Sequence, residues 1–339
     1  MQNTSHTFDI DSVKTPYKLG RLVLGPSLKQ GEFDSHVVDA AFTFRWEDRY
    51  YMTFIGWDGI GYRTGLASSD DLVLWRKEGL IIDRGPAGSI TQNNAALTWI
   101  ARDNELFGDS ELKLIGGSLL GTYHAYPNAG YEAGPACIGL CRSSNLRDWE
   151  MEDPCLRSDD PDAGDWEKGG LYKSCIVEHE GAFYMFYNAK DSGRSWKEQT
   201  GIAVSTDLKK WKRVFDQPVV ANGPAGSIDE IFASDPCVVR HQGKWIMFYY
   251  TLSADGRARD TAAFSDDLLH WEKLGEALIS PGAPGQADSV YAHKPAVITR
   301  DGILYHYYCA VSPASPGSTG EITHCEHRGI ALATSWAIA

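Results

Sequence analysis

The sequence predicts an all-β fold, a single five-bladed β-propeller over residues 1–339 with four antiparallel strands per blade, and three observations carry that reading. A turn of the form S-x-D-L-x-x-W recurs: SSDDLVLW ends at Trp75, SSNLRDW at Trp149, STDLKKW at Trp211 and SDDLLHW at Trp271, with a degenerate ATSW at Trp336. These tryptophans lie 74, 62, 60 and 65 residues apart, as expected of one repeated supersecondary unit. Each turn also follows a hairpin pattern, two apolar runs rich in β-branched and aromatic residues separated by a short turn. Finally, only three residues follow Trp336, while YKLGRLVLG near the N-terminus reads like the strand that follows each tryptophan. The N-terminal strand is therefore expected to close the last blade.

The hairpins follow in chain order. AAFTFRWEDRYYMTF opens blade one, and NNAALTWIARDNELFGDSELKLIGG opens blade two with a longer turn. SCIVEHEGAFYMFY, PCVVRHQGKWIMFYY and PAVITRDGILYHYY open the other three. A third strand ends at each S-x-D turn and a fourth follows the tryptophan, which is the plan of a propeller blade. The hexapeptide GPAGSI occurs at 85–90 and again at 223–228. Both copies fall where the chain crosses from an outer strand to the next inner one, a tight passage that suits Gly and Pro.

Composition narrows the function classes. A net charge of −13 argues against nucleic acid or an anionic membrane as partner. The N-terminus lacks the pattern of a secretory leader and no apolar run approaches the roughly 18 residues of a membrane span, so a soluble, cytoplasmic protein is expected. The seven cysteines are odd in number and sit mostly in strand-like runs, as buried reduced thiols do. THCEH around Cys325 lacks zinc-site spacing, so neither a metal nor a cofactor is expected.

The starts of the inner strands supply candidate site residues. A nine-residue step from Gly164, Gly226 and Gly285 leads to Lys173, Asp235 and Lys294; an eight-residue step from Gly31 leads to Asp39, and blade two offers Asn94. In a propeller these positions converge on the mouth of a central funnel. Glu167, Glu230, Asp229 and Asp288 lie in the crossing segments, and His293 adjoins Lys294. Carboxyl groups on opposite sides of a funnel fit glycosidic bond cleavage, in which one protonates the leaving oxygen and another activates water. Trp57, Trp166, Trp196, Tyr123 and Tyr126 are expected in loops, as flat platforms for sugar rings.

The Asp-bearing inner strands VVDAAFTF and SDPCVVRHQGKWIMFYY, with the S-x-D-L-x-x-W endings, resemble the five-bladed propeller glycoside hydrolases: family 43 and its relatives in families 32, 62, 117 and 130. The resemblance covers essentially the whole chain. It implies a glycosidase acting on an oligosaccharide, inverting in mechanism, with Asp39 as general base and Glu230 or Asp235 as acid, and Glu167 as a further candidate. The chain departs from the Asp, Asp, Glu set of family 43, because blade three presents Lys173. The acid of family 117 is a histidine, which makes His293 a candidate. The phosphorylases of family 130 ring the axis with basic residues, a role open to Lys173, His293, Lys294 and Arg63. A phosphorylase and a non-catalytic sugar-binding propeller thus remain as alternatives, although no Arg occupies an inner-strand start, where a phosphate would favour one.

Overall fold

In the computed structural model, residues 8–194, 196–314 and 326–338 are described; the THC of THCEH lies outside them. Among the described residues the fold is all-β apart from two short 3₁₀ turns, Ile10–Val13 and Asp165–Glu167. Strands Val37–Trp46, Arg49–Trp57, Tyr62–Ser69 and Arg76–Ile82 form one antiparallel meander. Ala96–Ile100, Ser118–Ala125, Cys137–Ser143 and Glu150–Leu156 form a second, with Leu114–Ile115 added beside it.

A larger 12-stranded sheet is built of three more meanders. These are Gly170–His179, Ala182–Lys190, Glu198–Ser205 and Lys212–Arg213; then Phe232–His241, Lys244–Leu252, Ala258–Ser265 and Glu272–Lys273. The last comprises Tyr291–Arg300, Ile303–Pro313 and Glu326–Thr334, with Tyr17–Leu24 as its outer strand, paired antiparallel to Glu326–Thr334. Single parallel bridges, Glu198 with Phe232 and Ala258 with Tyr291, tie consecutive meanders. The first strand of each meander packs on the first strand of the next, and the last of them packs on Val37–Trp46, so the first strands close a ring.

The repeated turn has a local cause. The Oγ of Ser69, Ser205 and Ser265 accepts the N–H three residues on, at 2.9 Å in each case. The Oδ1 of Asp71, Asp207 and Asp267 accepts the two N–H groups after the leucine, at 2.8–2.9 Å. Between them Leu72, Leu208 and Leu268 adopt left-handed φ of 65°, 61° and 68°, a conformation that costs an ordinary residue about 1–2 kcal/mol. Burying the leucine side chain offsets that cost. The tryptophan indole closes the turn by donating to the leucine carbonyl, as Trp211 and Trp271 do. In the degenerate copy, Ser335 still pairs with the Leu304 backbone, but Trp336 is 71% exposed and packs little.

Two features shape the ring's interior. Every first strand carries an irregularity near its start, located between Asp39 and Phe42, Leu97 and Trp99, Leu171 and Ser174, Ser234 and Cys237, and His293 and Ala296. Left-handed φ at Ala40, Asp235 and Lys294 marks the bulged residue. The ladder also corrects the sequence register. Asp235 matches Lys294, whereas Asp39 matches Ser234 and His293 one place earlier, and Lys173 matches Pro236 and Pro295 one place later. The bulge is what lets all four polar side chains reach the same space.

The long turn expected after Ala96–Ile100 is instead a plug across one end of the ring. Glu105 bridges to Arg240, Glu111 bridges to Arg45, and the Leu106 carbonyl accepts from Thr299. Leu106 packs there with Val13, Val239, Phe248 and Leu304.

The turn energetics give the first prediction. Asp267→Ala is expected to cost about 1 kcal/mol, by analogy with loss of a helix cap, and Leu268→Ala about 2–5 kcal/mol. Trp336→Ala should leave stability unchanged. Calorimetric melting of the three variants checks the order, and a Trp336→Ala loss equal to that of Leu268→Ala would contradict it.

Candidate active site

The bulges aim polar side chains into a closed inner cavity of about 40 Å³. Asp39, Lys173, Asp235 and Lys294 line it together with Glu132 and Glu198. It adjoins an outer cavity of about 420 Å³ that Trp196, His293 and Arg328 also line. Glu132, Glu198, Tyr250 and Lys294 belong to both spaces. They form the neck between the two.

Asp39 is the most heavily engaged group. Its Oδ2 accepts from Lys294 Nζ at 2.7 Å and from Arg328 Nη1 at 2.8 Å, and its Oδ1 accepts from the Ala40 N–H at 2.7 Å. Burial alone would raise its pKa, but the two cations outweigh burial and hold the carboxyl well below its ordinary range. Arg328 also pairs with Glu326. His293 donates through Nδ1 to the Cys309 carbonyl at 3.1 Å, and burial, with Lys294 and Arg328 beside it, pushes it well below the usual histidine range. The imidazole is neutral at pH 7.

Glu198 has the opposite environment. Its Oε2 accepts from Asn188 at 3.0 Å, Ser234 at 3.1 Å and Tyr250 at 2.7 Å, and its Oε1 accepts from the Trp196 indole at 3.2 Å. Burial raises its pKa, and the negative charges of Glu132 and Asp235 raise it further. Asp235 shares the Asn188 amide at 2.8 Å, and its pKa is raised by burial despite Lys173 and Lys294. His124, also on the inner cavity, is driven down to about 3 by burial and by the two lysines.

Several expected site residues are elsewhere. Glu167 is wholly buried between Tyr187 and Arg213, which donates to it at 2.7 Å. It is one of a repeated set in which an acid of the crossing segment pairs with a base on the outer strand: Asp34 with Lys77, Asp229 with Lys273, and Asp288 with Lys18. These pairs fasten each crossing and leave no carboxylate free for catalysis. Glu230 accepts the N–H groups of Gly226 and Ala254, and so closes a loop. Asn94 serves the backbone, accepting from the Tyr62 N–H at 2.7 Å. Arg63 is held by Asp58 and Asp83.

Among the aromatics, Trp57 ends a strand and is buried against Tyr62 and Tyr131 rather than displayed in a loop. Trp166 stacks on Tyr187, and Tyr123 is buried within its strand with its hydroxyl on the Glu152 carbonyl. Tyr126 lines the inner cavity, and Trp196 the outer one.

Glu198 and Arg328 are absent from the sequence-derived set, yet a signal for them exists. Seven residues before the turn serines Ser69, Ser205, Ser265 and Ser335 stand Tyr62, Glu198, Ala258 and Arg328, and each lines one of the two cavities. Arg328 also supplies the arginine that the inner-strand starts lack. Among the described residues no group of three or more His, Cys, Asp or Glu is arranged to hold a metal ion, and no helix is long and apolar enough to cross a membrane.

Comparison with known proteins agrees with this architecture. The glycosyl hydrolases family 32 N-terminal domain matches residues 119–282. A solved structure described as a BT0996 complex with RGII is 32% identical over 97% of this chain and 94% of its own, with a TM-score of 0.81. Another, described as "Glycoside hydrolase", is 31% identical with the same coverage and a TM-score of 0.80. A 1,2-beta-oligomannan phosphorylase of Thermoanaerobacter sp. (strain X514) is 27% identical, and the sucrose-6-phosphate hydrolase of Bacillus subtilis (strain 168) is 26% identical. The matches cover 34% and 40% of this chain and span only 41% and 27% of those two relatives. The near-complete match to a glycoside hydrolase, on a closed ring of antiparallel meanders with a carboxyl-lined axial cavity, places the chain in the β-propeller glycoside hydrolase superfamily.

Proposed function

We propose that the chain is a single five-bladed propeller that hydrolyses a glycosidic bond, with Glu198 as general acid and Glu132 as the opposing carboxylate. The observation that carries this reading is the separation of proton affinities within one cavity: Asp39 is held ionised while Glu198 is pushed toward its protonated form. Such divergent environments are how acid and base roles are divided. Asp39, expected as the base, is a poor proton acceptor with two cations on one oxygen. Its role here is to anchor Lys294 and Arg328. Glu132 shares both cavities with Glu198 and is the leading charge that raises its pKa. The inner cavity would exclude water from the sugar at which bond breaking occurs, and the outer cavity, with Trp196 on its wall, would receive the rest of an oligosaccharide.

Phosphorolysis finds less support. Lys294 and Arg328 are committed to Asp39, Arg328 also to Glu326, and Lys173 to the Pro295 carbonyl at 3.3 Å. A phosphate would have to compete with those partners. Because RGII appears in the name of the 32%-identical relative, an RGII oligosaccharide is the first substrate to test. Purified protein is expected to release sugar from such an oligosaccharide at a rate independent of added phosphate, with no sugar 1-phosphate formed. Inversion at the anomeric carbon, which the resemblance to family 43 implies, is read from the product anomer by NMR. Phosphate-dependent turnover would replace hydrolysis with phosphorolysis.

Glu198→Gln keeps hydrogen-bonding capacity but cannot supply the proton. Its kcat should fall by about 10²–10⁴-fold on a natural linkage and by much less on a dinitrophenyl glycoside, whose leaving group needs no protonation. The kcat/KM profile of the native protein should decline as pH rises through the raised Glu198 pKa. Equal losses on both substrates would remove Glu198 as the acid.

Asp39→Asn tests the anchor. A carboxyl with a lowered folded-state pKa stabilises the fold fully above its unfolded value of about 3.9, and that contribution is lost as pH falls through the lower folded value. The variant should therefore be less stable than the native protein at neutral pH, by about 3 kcal/mol for a broken buried pair. The gap should close in acid. A gap in melting temperature that does not change with pH would contradict the assignment.

A further inference from the structure

Beneath the inner cavity, toward the plug, lies a second and smaller axial space of about 10 Å³, the size of one water molecule or small ion. First strands from all sides of the ring wall it, through Phe42, Thr98, Ser174, Cys237 and Ala296. Two cations reach it, Arg102 and Lys173, and no carboxylate lines it. Arg102 is buried, and its only hydrogen-bond partners among the described residues are the carbonyls of Thr43 and Val297. Its Nε has no acceptor, and the hydroxyl of Thr98, also buried, has no partner among the described residues.

A buried cation is normally paired, because an uncompensated charge in a medium of low polarizability is expensive. The lysine is partly balanced by Asp235 above it, whose pKa it lowers. The arginine has no such counterpart: Asp103, the nearest acid by its effect, lies toward the surface and pairs with Lys113. Two unpartnered donors, the Nε–H and the Thr98 hydroxyl, on a space with an excess of positive charge describe a cradle for an anion. The plug closes the far end of the axis, which keeps bulk water from supplying the missing partner.

We propose that this axial space binds a small monovalent anion of the halide class, held between Arg102, Lys173 and Thr98. The site is separate from the glycosidase reading and does not depend on it. Its size admits chloride or bromide and excludes an organic anion such as gluconate. Bound anion would neutralise Arg102 where the first strands converge, and so stabilise the ring by linkage.

The test is a melting series in sodium chloride, sodium bromide and sodium gluconate at equal ionic strength. The full chain should show a saturable rise in melting temperature with either halide over gluconate. Thr98→Val, which removes only the hydroxyl, should weaken apparent halide affinity several-fold, and Arg102→Met should abolish the halide effect, while Lys113→Met at the surface should leave it intact. Crystals grown in bromide should show one anomalous peak between Arg102 and Lys173. Should Arg102→Met not fold, the bromide map and Thr98→Val still decide the matter. Equal melting in halide and gluconate, a halide effect unchanged in Thr98→Val, or a bromide-soaked axis without a peak would each overturn the proposal.

Discussion

The carboxylate of Asp39 sits where the ring closes, and much of the site's electrostatics depends on its contacts. It belongs to the first meander, yet both cations it holds come from the last: Lys294 from the first strand there and Arg328 from the third. The interaction therefore joins the seam of the ring and fixes the charge state of the cavity floor together. With Lys294 and Arg328 kept cationic, His293 is neutral, and Asp39 remains ionised despite its burial. A buried cluster of this kind is costly to assemble and costlier to break singly. Its persistence at this position is more readily understood as orientation of the cavity than as a gain in stability.

Elsewhere the carboxylates divide by position along the repeat. Acids of the crossing segments, such as Glu167 and Asp229, meet a base from the outer strand and a tyrosine from the second, and they fasten the chain where it passes toward the axis. Acids at the bulges or at the start of a third strand, Asp235 and Glu198, face the cavity and share one amide, Asn188. Residues of the same type thus have different work according to which strand boundary they occupy. Only the second group is placed where burial and like charge can raise a proton affinity.

The blade turns were legible in the sequence because each is local: a serine, an acid and a left-handed leucine satisfy one another within a few residues, and spacing alone reveals them. The convergence of Asp39, Lys173, Asp235 and Lys294 was legible too, since the crossing glycines keep step with the strands. What escaped was non-local. The one-residue offsets among those four depend on bulges that only ladder pairing shows. Glu167 carries the right chemistry, but its arginine lies 46 residues away, so nothing near it in the chain marks it as a tie. Glu198 and Arg328 became visible only once Ser335 was aligned with the other turn serines, through its pairing with Leu304. Trp57 illustrates the remaining difficulty, because an aromatic beside a Gly-rich segment reads alike whether it ends a buried strand or begins an exposed loop.

The two stacked axial spaces follow from one geometrical constraint. A ring of strands that narrows toward its axis cannot fill the centre with large side chains from every blade, so each first strand contributes either a small residue or a polar one whose partner lies on another blade. At the upper level the partners are ions of opposite sign, and the charges nearly cancel among Asp39, Asp235, Lys173, Lys294 and Arg328. At the lower level the second meander contributes Arg102, and no blade answers it with an acid among the residues lining that space. Lys173 lies on both spaces, so a change of charge below is felt by Asp235 above through a single ammonium group. The proton affinities of the cavity are in this sense a property of the whole axis, and the segment 101–113 that plugs its end belongs to the site as much as the loops at its mouth.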